Sequence, residues 1–347
     1  MKLFSKLLGS KSKLSSSYKK AREFLLSCER PLFFFDDDPD GLSSFLLLYR
    51  FTKCGRGMAI KGAQLQSSFK RQIDSYQPDA LVILDKASVE EDFFEDIDIP
   101  VLWIDHHELQ RPPKNVLYIN SRQEKHDKPT AWLAYQIVKQ DPWLATVGIV
   151  SDWQLPEKSL RKQTQDILPD SITKPQVALF NSQAGELARI FAFNLKGSSK
   201  DIVSSIKMLS RINSPFELLE EQHAQARLLI KRYKQRQNEY ESLKQQVVVD
   251  ANDPLLLFEY QENKNSYTAD LSNELLYRYP KKCILIARHR ADRYVCSLRY
   301  SQKNIEKILQ DVLEITGGNG GGHEHACGAQ IPEDQWATFL DELRKRI

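Results

Sequence analysis

The most informative segment of this chain is Phe33-Phe34-Phe35-Asp36-Asp37-Asp38-Pro39-Asp40-Gly41. Residues 32–35 are apolar without alternation, which predicts a strand that is buried on both faces. Four carboxylates follow within five residues, and they would repel one another strongly unless a positive group lay between them. Open α/β sheets form their sites beyond the carboxyl ends of the strands. The segment therefore indicates a divalent-cation site, although acidic clusters also occur as solvated turns or helix caps.

The composition is that of a soluble globular protein, with 41% hydrophobic and 27% charged residues in a chain of 347, which is long enough for two domains. No apolar segment approaches the roughly 20 residues that span a bilayer. The five cysteines are scattered, which argues against a thiolate zinc site and a disulfide framework and favours a reducing cytoplasm. The net charge of +3 is too small to identify a partner.

The first twenty residues are basic and rich in serine. They lack the apolar core and the small-residue cleavage site of a secretion signal. We interpret residues 1–20 as a basic flexible N-terminus, and a membrane or nucleic-acid arm is the alternative. A helical pattern from Tyr18 to Cys28 leads into the first strand.

Three further apolar runs predict buried strands, and each ends at a polar residue. These runs are residues 80–84 before Asp85, residues 101–104 before Asp105-His106-His107, and residues 116–119 before Asn120. Helical patterns lie between or after the strands, notably at residues 42–51, 130–138 and 142–152. This alternation predicts an α/β domain with a parallel sheet and helices on both faces.

Acidic residues at three separate strand ends can meet at one edge of the sheet. Aspartates with a single imidazole suit Mn or Mg better than a structural zinc, which prefers thiolates and imidazoles. Two such ions about 3.5–4 Å apart can activate a water and stabilise an in-line phosphoryl displacement. A binuclear site needs a bridging carboxylate, and Asp85, in the middle of the set, is the natural choice.

A second start signal lies at Ser214-Pro215-Phe216-Glu217, which combines a capping hydroxyl, a proline at the first helical position and a glutamate. It predicts a long linking helix over residues 214–246. The middle of this helix is basic, through Arg227, Lys231, Arg232, Lys234 and Arg236. These residues form either a solvated face or a face that lines a groove for a phosphate backbone.

The remaining residues predict a smaller α/β domain. Its strands are expected at residues 255–259, 284–287 and 294–298, and its helices at residues 268–278, 304–316 and 334–346. A glycine-rich run, residues 317–322, lies before His323. It lacks the Gly-Lys-Ser/Thr ending of a Walker loop, and it is either a flexible loop or a backbone nest for an anion. Nearby basic residues favour the anion; they are Arg288, His289, Arg290, Arg293 and Arg299.

Taken together, these motifs resemble those of the DHH-family phosphoesterases, the superfamily of RecJ nucleases, oligoribonucleases and family II pyrophosphatases. In the N-terminal part, the similar motifs are Asp36-Asp37-Asp38-Pro39-Asp40-Gly41, Asp85, Asp105-His106-His107 and Gly148-Ile149-Val150-Ser151-Asp152. In the C-terminal part, the motifs similar to those of the DHH-associated substrate domain are Ser297-Leu298-Arg299 and Gly320-Gly321-Gly322-His323 followed by Ala326 and Gly328. The resemblance covers the chain from about residue 20 to its end.

The resemblance implies two Mn or Mg ions and a role for each motif. One ion would be held by Asp36, Asp38 and Asp85. The other would be held by Asp40, Asp85, His106 and Asp152. Asp105 would fix the imidazole tautomer, and His107 would face the scissile phosphate. The terminal nucleotide or phosphate of the substrate would be bound by Ser297, Arg299, Gly320, Gly321, Gly322 and His323.

The resemblance also implies a domain order and a function. Residues 21–213 would form the DHH domain and residues 247–347 the substrate-binding domain. The implied activity is a Mn-dependent phosphodiesterase, in which metal-activated hydroxide removes mononucleotides from an end of single-stranded nucleic acid or short oligonucleotides lying between the domains. A replication or repair scaffold without activity and a small-phosphate phosphatase are the alternatives. No membrane partner is implied, and a homodimer and replication or repair partners remain open.

The first motif departs from part of the family. Many members carry a histidine where Asp36 or Phe34 stands, and this chain has none there. RecJ-like members use aspartate at the Asp36 position, so the departure points to the nuclease branch. Asp37 has no implied role and is interpreted as a solvated acid.

Overall fold

The computed structural model describes residues 13–62, 64–262 and 265–347 of the chain. The described residues divide into two compact units, with the boundary between Tyr233 and Lys234. Within these ranges, every helix is too short or too polar to span a bilayer. The mixed α/β architecture with a parallel sheet in the first unit confirms the fold class predicted from the sequence.

The first unit contains a sheet of five parallel strands. Its strands are β1 (Leu32–Asp36), β2 (Arg56–Ile60), β4 (Leu81–Leu84), β6 (Val101–Asp105) and β7 (Val116–Asn120), in the order β2-β1-β4-β6-β7. A separate parallel pair of two-residue strands consists of β3 (Gln64–Leu65) and β5 (Ser88–Val89). The sequence did not predict β2, because this edge strand is mostly half-buried and carries no continuous apolar run.

Helices cover both faces of this sheet. They are α1 (Lys13–Ser27), α2 (Pro39–Thr52), α3 (Lys70–Tyr76), α4 (Thr130–Val138), α5 (Pro142–Ser151), α6 (Lys158–Arg161), α7 (Pro175–Asn181), α8 (Gln183–Asn194) and α9 (Ser199–Leu209). Phe33 and Phe35 point into the core formed with α1, α2, α4 and α5. Phe34, one residue out of phase, packs in the opposite core with Phe69 and Phe93. Both faces of β1 are therefore buried, as the uninterrupted apolar run predicts.

The strand order places a crevice at the carboxyl ends of β1 and β4. The chain moves from β1 to β2 on one side and then crosses to β4 on the other, and ligands bind at such a reversal in open sheets. The register pairs Phe35 with Leu84, so Asp36 and Asp85 follow at the same level. Gly41 lets α2 begin against the strand end, because a Cβ there would lie 2.6 Å from the carbonyl oxygen of Asp36.

The N-terminal helix begins earlier than the sequence predicts. Residues 13–20 belong to α1 rather than to a flexible N-terminus. The buried Leu14 anchors this first turn, and its backbone N–H donates to Oε1 of Glu124 at 2.9 Å. The basic residues Lys2, Lys6 and Lys11 lie outside the described residues.

The single linking helix predicted over residues 214–246 is wrong, because two helices occupy this range. They are α10 (Pro215–Leu219) and α11 (Ala224–Lys244). The start signal is real, since Oγ of Ser214 accepts from the backbone N–H of Phe216 at 3.3 Å. The helix is interrupted at Glu221, which has a left-handed φ of 52°. Helical hydrogen bonding cannot continue through that conformation.

The second unit contains a five-stranded mixed sheet. Its strands are β8 (Leu255–Gln261), β9 (Cys283–Arg290), β10 (Arg293–Arg299), β11 (Asn319–His323) and β12 (Ala326–Pro332), in the order β11-β12-β10-β9-β8. Its helices are α12 (Thr268–Arg278), α13 (Ile305–Thr316) and α14 (Trp336–Arg344). α13 and α14 pack on one face of the sheet, and α12 packs on the other.

The glycine-rich run is an edge strand, neither a flexible loop nor a nest. Gly317 and Gly318, with φ of 69° and 92°, turn the chain out of α13. Residues 319–323 then pair antiparallel with β12. A Cβ at Gly320 would lie 2.8 Å from the carbonyl oxygen of Gly328, and one at Gly322 would collide with the carbonyl oxygen of Ala326. These two glycines are required by the close approach of the neighbouring strand.

Candidate metal centre

The strand ends of the first unit bring the predicted ligands into two overlapping groups. Ligand atoms of Asp36, Asp38 and Asp85 all lie within 4.8 Å of one another. Those of Asp85, His106 and His107 do the same. This second group contains His107, which was not a predicted ligand, and neither group contains the predicted ligands Asp40 and Asp152. Asp85 belongs to both groups, which is the position expected for a carboxylate that bridges two ions. Its backbone has a left-handed φ of 58°, an unusual conformation for a residue other than glycine and one typical of functional sites.

Asp38 and Asp40 are fixed by helix N-termini. Asp38 caps α2, and its Oδ1 accepts from the N–H of Gly41 at 2.8 Å. Asp40 is only 1% exposed, and its two oxygens accept from the first backbone N–H groups of α4, those of Thr130 at 2.8 Å and Ala131 at 2.9 Å. An ionised carboxylate offers about four acceptor positions, so each oxygen of Asp40 keeps one for a cation.

His106 is arranged as a neutral ligand. Burial, followed by repulsion from His107, lowers the pKa of His106 to about 4. Its Nε2 lies 3.4 Å from Oδ1 of Asp85, and its Nδ1 lies 3.8 Å from Oδ2 of Asp152. This Nδ1 is buried and has no hydrogen-bond partner among the described residues. A metal ion binds an unprotonated ring nitrogen, so an ion beside Asp152 would satisfy this Nδ1.

The carboxylates of the cluster are poorly stabilised as anions. Burial, followed by repulsion from Asp38, raises the pKa of Asp36 to about 7. Burial, followed by repulsion from Asp85, raises the pKa of Asp38 to about 8. Burial, followed by repulsion from Asp36, raises the pKa of Asp85 to about 7. The same two causes hold the pKa values of Asp40 and Asp152 well above the usual range. Without a positive charge between them, these carboxyl groups resist ionisation. A hard divalent cation prefers oxygen ligands and would stabilise their charged forms.

Asp105 holds the imidazole of His107. Oδ1 of Asp105 lies 2.7 Å from Nδ1 of His107, and Asp105 is fully buried. The side chain of Asn120 fixes the other oxygen, because its Nδ2 donates to Oδ2 of Asp105 at 3.1 Å. Burial alone would lower the pKa of His107, but the hydrogen bond and charge of Asp105 raise it to about 9. His107 is therefore a cation at neutral pH.

Three buried residues of the site have no role in the sequence analysis. Lys86 lies 2.6 Å from Oδ1 of Asp36. Thr130 donates its hydroxyl to Oδ1 of Asp85 at 2.9 Å. Asn120 holds Asp105, as described above. Lys86 follows the end of β4 and Asn120 ends β7, and this position at a strand end could have identified both as site residues. No local sequence pattern identifies Thr130, because its contact with Asp85 spans 45 residues.

Asp37 is half-buried beside cations, so the interpretation as a solvated acid is incomplete. Burial raises the pKa of Asp37, and the positive charges of Lys61, Lys196 and Lys86 oppose this effect. The negative charge of Asp37 is thus partly compensated by these lysines.

Four of the candidate substrate residues of the second unit, Ser297, Arg299, Gly321 and His323, share one face of its sheet, whereas Gly320 and Gly322 alternate to the other face. The register places Ser297, Gly328 and Gly321 in one row across β10, β12 and β11. Arg299 and His323 fall in the next row, on the same face. A Cβ at Gly321 would meet no atom within 4 Å, so this row is open at its β11 end.

Two of these side chains are fixed by α12. Ser297 is buried, with its hydroxyl 2.9 Å from that of Ser272. Nε of Arg299 donates to Oδ1 of Asn273 at 2.7 Å, and its NH1 donates to the carbonyl of Leu298. Burial lowers the pKa of Arg299 to about 10, which leaves it charged at neutral pH. His323 is exposed. This face therefore carries the fixed guanidinium of Arg299 and the hydroxyl of Ser297, next to the glycine backbone of β11.

The basic run of α11 does not form one uniform face. Arg236 is buried, and Arg232 donates to Oγ of Ser205 at 2.9 Å. Arg227, Lys231 and Lys234 are exposed and recur at intervals of four and three residues. Three of the five basic residues thus share a solvent-facing stripe, which is compatible with both functions considered for the helix.

Two family domains match the chain. Residues 32–172 match the DHH family, N-terminal domain, and residues 253–347 match the DHHA1 domain. No curated protein matches the chain.

Solved structures share the fold at low sequence identity. RecJ of Thermus thermophilus in complex with Mn²⁺ is 14% identical over 96% of the chain, with a TM-score of 0.68, and the chain spans only 54% of that protein. Exonuclease RecJ bound to manganese is 16% identical, with 97% of this chain and 95% of that chain covered and a TM-score of 0.58. The pGpG-specific phosphodiesterase PggH from Vibrio cholerae is 16% identical, with 92% and 98% covered and a TM-score of 0.51. With both domains present in order on a shared fold, the chain belongs to the DHH family, whose members are typically phosphoesterases.

Proposed function

We propose that this protein is a Mn- or Mg-dependent phosphodiesterase that removes mononucleotides from an end of single-stranded nucleic acid or short oligonucleotides. The observation that carries the proposal is the position of Asp85, shared by two ligand groups. The buried Nδ1 of His106, 3.8 Å from Asp152 and without a hydrogen-bond partner among the described residues, supports it. A site for two cations bridged by one carboxylate is the arrangement that phosphoryl transfer by two metals requires.

The ligands divide into two sets around Asp85. Asp36 and Asp38 complete the set for one ion, and Asp40, His106 and Asp152 complete the set for the other. When bound, two divalent ions supply an activated water at neutral pH and neutralise charge on the phosphoryl oxygens.

His107 supplies a second source of positive charge. Its Nδ1 faces Asp105, so the protonated ring directs its Nε2–H away from that acid, where it can donate to a phosphate oxygen. The side chain is 26% exposed, so a substrate can reach it. A fixed donor aimed at developing negative charge stabilises the transition state without reorganisation.

Substrate recognition is assigned to the open face of the second unit. Arg299 and Ser297 are pre-organised by Asn273 and Ser272, which lowers the entropy cost of binding an anion. A fixed guanidinium matches phosphate geometry. His323 and the backbone of residues 320–322 complete the surface for a terminal nucleotide or phosphate. Two relatives of similar length support this substrate class, because one is named an exonuclease and the other a pGpG-specific phosphodiesterase.

A cleavage panel tests the proposal. End-labelled RNA and DNA, from dinucleotides to long single strands, are incubated with the full chain in Mn²⁺ or Mg²⁺, and pyrophosphate is assayed in parallel. Release of mononucleotides from one end is expected. Asp85→Asn should abolish it, whereas Asp74→Asn, an exposed acid on α3, should not change it.

Two outcomes would replace the proposal. If neither RNA nor DNA is cleaved and Mn²⁺ does bind, the chain is a scaffold. Faster release of phosphate from pyrophosphate than of nucleotides from any oligomer would assign a small-phosphate phosphatase instead.

A further inference from the structure

Lys86 is a buried cation at the edge of the candidate metal centre. It directly follows Asp85, and its side chain is 0% exposed. Its Nζ donates to Oδ1 of Asp36 at 2.6 Å, to the carbonyl of Ile60 at 3.2 Å and to the carbonyl of Gly62. A lysine ammonium has three N–H donors. All three are used, so Lys86 has none left for a substrate.

The surroundings of Lys86 make Asp36 its counter-ion. Burying an unpaired ammonium is strongly unfavourable, so the ion pair with Asp36 is what permits a charge at this position. The carbonyl groups of Ile60 and Gly62 accept the other N–H groups of this ammonium. Lys86 is thus part of the folded site and is not a mobile surface lysine.

The two ligand groups therefore differ in charge. In the group of Asp36, Asp38 and Asp85, the Lys86 ammonium offsets one of three carboxylates and occupies an acceptor position of Asp36. On the other side, no lysine or arginine in the described part of the chain forms an ion pair with Asp40, Asp85 or Asp152. The nearby positive charge of His107 is paired with Asp105, which is not a ligand, so it offsets none of the carboxylates of this group. A fixed positive charge a few ångströms away repels a divalent cation, and a low-dielectric site screens this repulsion weakly.

We propose that Lys86 acts as a built-in cation that makes the two metal positions unequal. The position beside His106 and Asp152 binds its ion tightly, and the position beside Asp36 and Asp38 binds a second ion weakly because Lys86 competes for Asp36. This inference rests on the proposed function, since it assumes that both groups bind metal. It makes Lys86 a positioning residue, and it predicts that the second ion depends on the metal concentration.

Metal binding to the full chain tests the inference without an activity assay. Calorimetric titration with Mn²⁺, checked by the electron paramagnetic resonance signal of free Mn²⁺, should show one tight ion and a second that binds roughly tenfold or more weakly. In Lys86→Met, the second ion should bind roughly tenfold more tightly, and the first should change much less. Two ions of equal affinity in the unmodified protein would overturn the inference, whether or not the variant folds.

A second variant separates competition for Asp36 from a general effect on folding. Asp36→Asn removes the charge that Lys86 pairs with and should weaken the second ion. In the Asp36→Asn background, Lys86→Met should increase the affinity for the second ion clearly less than it does in the unmodified protein. The reason is that the Asp36 carboxylate, for which Lys86 and the ion compete, is absent. An equal gain in both backgrounds would refute competition for Asp36. Absence of any Mn²⁺ binding to the unmodified protein would instead contradict the proposed function.

Discussion

Oδ1 of Asp105 lies 2.7 Å from Nδ1 of His107, and the same carboxylate accepts the backbone N–H of His107 at 3.0 Å. The ring is therefore fixed from two directions by one fully buried acid. This pairing keeps His107 protonated, with a pKa of about 9. A cationic histidine thus lies beside Asp85 and His106, the side chains proposed to bind metal.

Asp105→Asn should lower activity and move its pH dependence. If protonated His107 donates to the substrate phosphate, activity falls as pH rises through its pKa of about 9. The variant loses the carboxylate that raises this pKa, so the fall should occur at lower pH, and kcat/KM at neutral pH should drop by a factor of about 10²–10⁴. The pH profile of kcat/KM checks this. A lower rate with an unmoved alkaline limb would give Asp105 a purely structural role.

The metal-free protein should lose stability as pH rises from about 6.5 to 8.5. The pKa values of Asp38 and Asp85 are raised to about 8 and 7, so these two groups are protonated in the folded state below those values. Stability from a raised carboxyl pKa is present at low pH and is lost as pH passes through the folded pKa. Each pKa unit by which the folded state differs from the unfolded state changes the free energy of unfolding by about 1.4 kcal/mol. Because these carboxyl groups interact, their contributions to the free energy of unfolding are not additive.

Divalent ions should reverse that pH dependence, because they bind the ionised carboxylates and displace protons. Thermal unfolding with chelator or with excess Mg²⁺, measured at both pH values, checks the sign. The increase in Tm caused by Mg²⁺ should be larger at the higher pH. An equal increase at both pH values would show that these acids are not the ligands.

Gly148→Ala should destabilise the first unit and weaken metal binding. A Cβ at Gly148 would lie 2.9 Å from Oδ1 of Asp40 and would collide with the Cβ of Ala131. Overpacking of this kind costs about 1–3 kcal/mol, and it pushes Asp40 away from the N-terminus of α4. Denaturant unfolding and Mn²⁺ titration check the result. Unchanged values for both would mean that α5 can shift without disturbing Asp40.

Gly328→Ala is the matched control for the change at Gly148 and also a test of the substrate face. The new Cβ would have its nearest heavy atom at 3.8 Å, so unfolding free energy and Mn²⁺ affinity should stay unchanged. Because Gly328 lies in the row of Ser297 and Gly321, the methyl group should obstruct a nucleotide on that face and raise KM more than it lowers kcat. An unaltered KM would place the substrate elsewhere.

The apolar runs before Asp36, Asp85 and Asp105 predicted three central strands correctly, because burial on both faces is written in local composition. The bounds of α4 and α12 follow from their apolar periodicity in the same way. Local pattern failed where burial is partial or where one backbone position breaks a helix. The half-buried β2 is an example of the first kind, and the left-handed Glu221 is an example of the second.

Local sequence specified which residue types stand at the carboxyl ends of the strands, and hence that an acidic site with imidazoles would form there. The pairing of those residues depends on the folded arrangement of the whole unit. Lys86 meets Asp36 because β4 lies beside β1, and Asp40 receives the N-terminus of α4 from 90 residues away. Apolar periodicity acts over a few residues, whereas these contacts depend on strand order and helix placement, which no local stretch of the chain encodes.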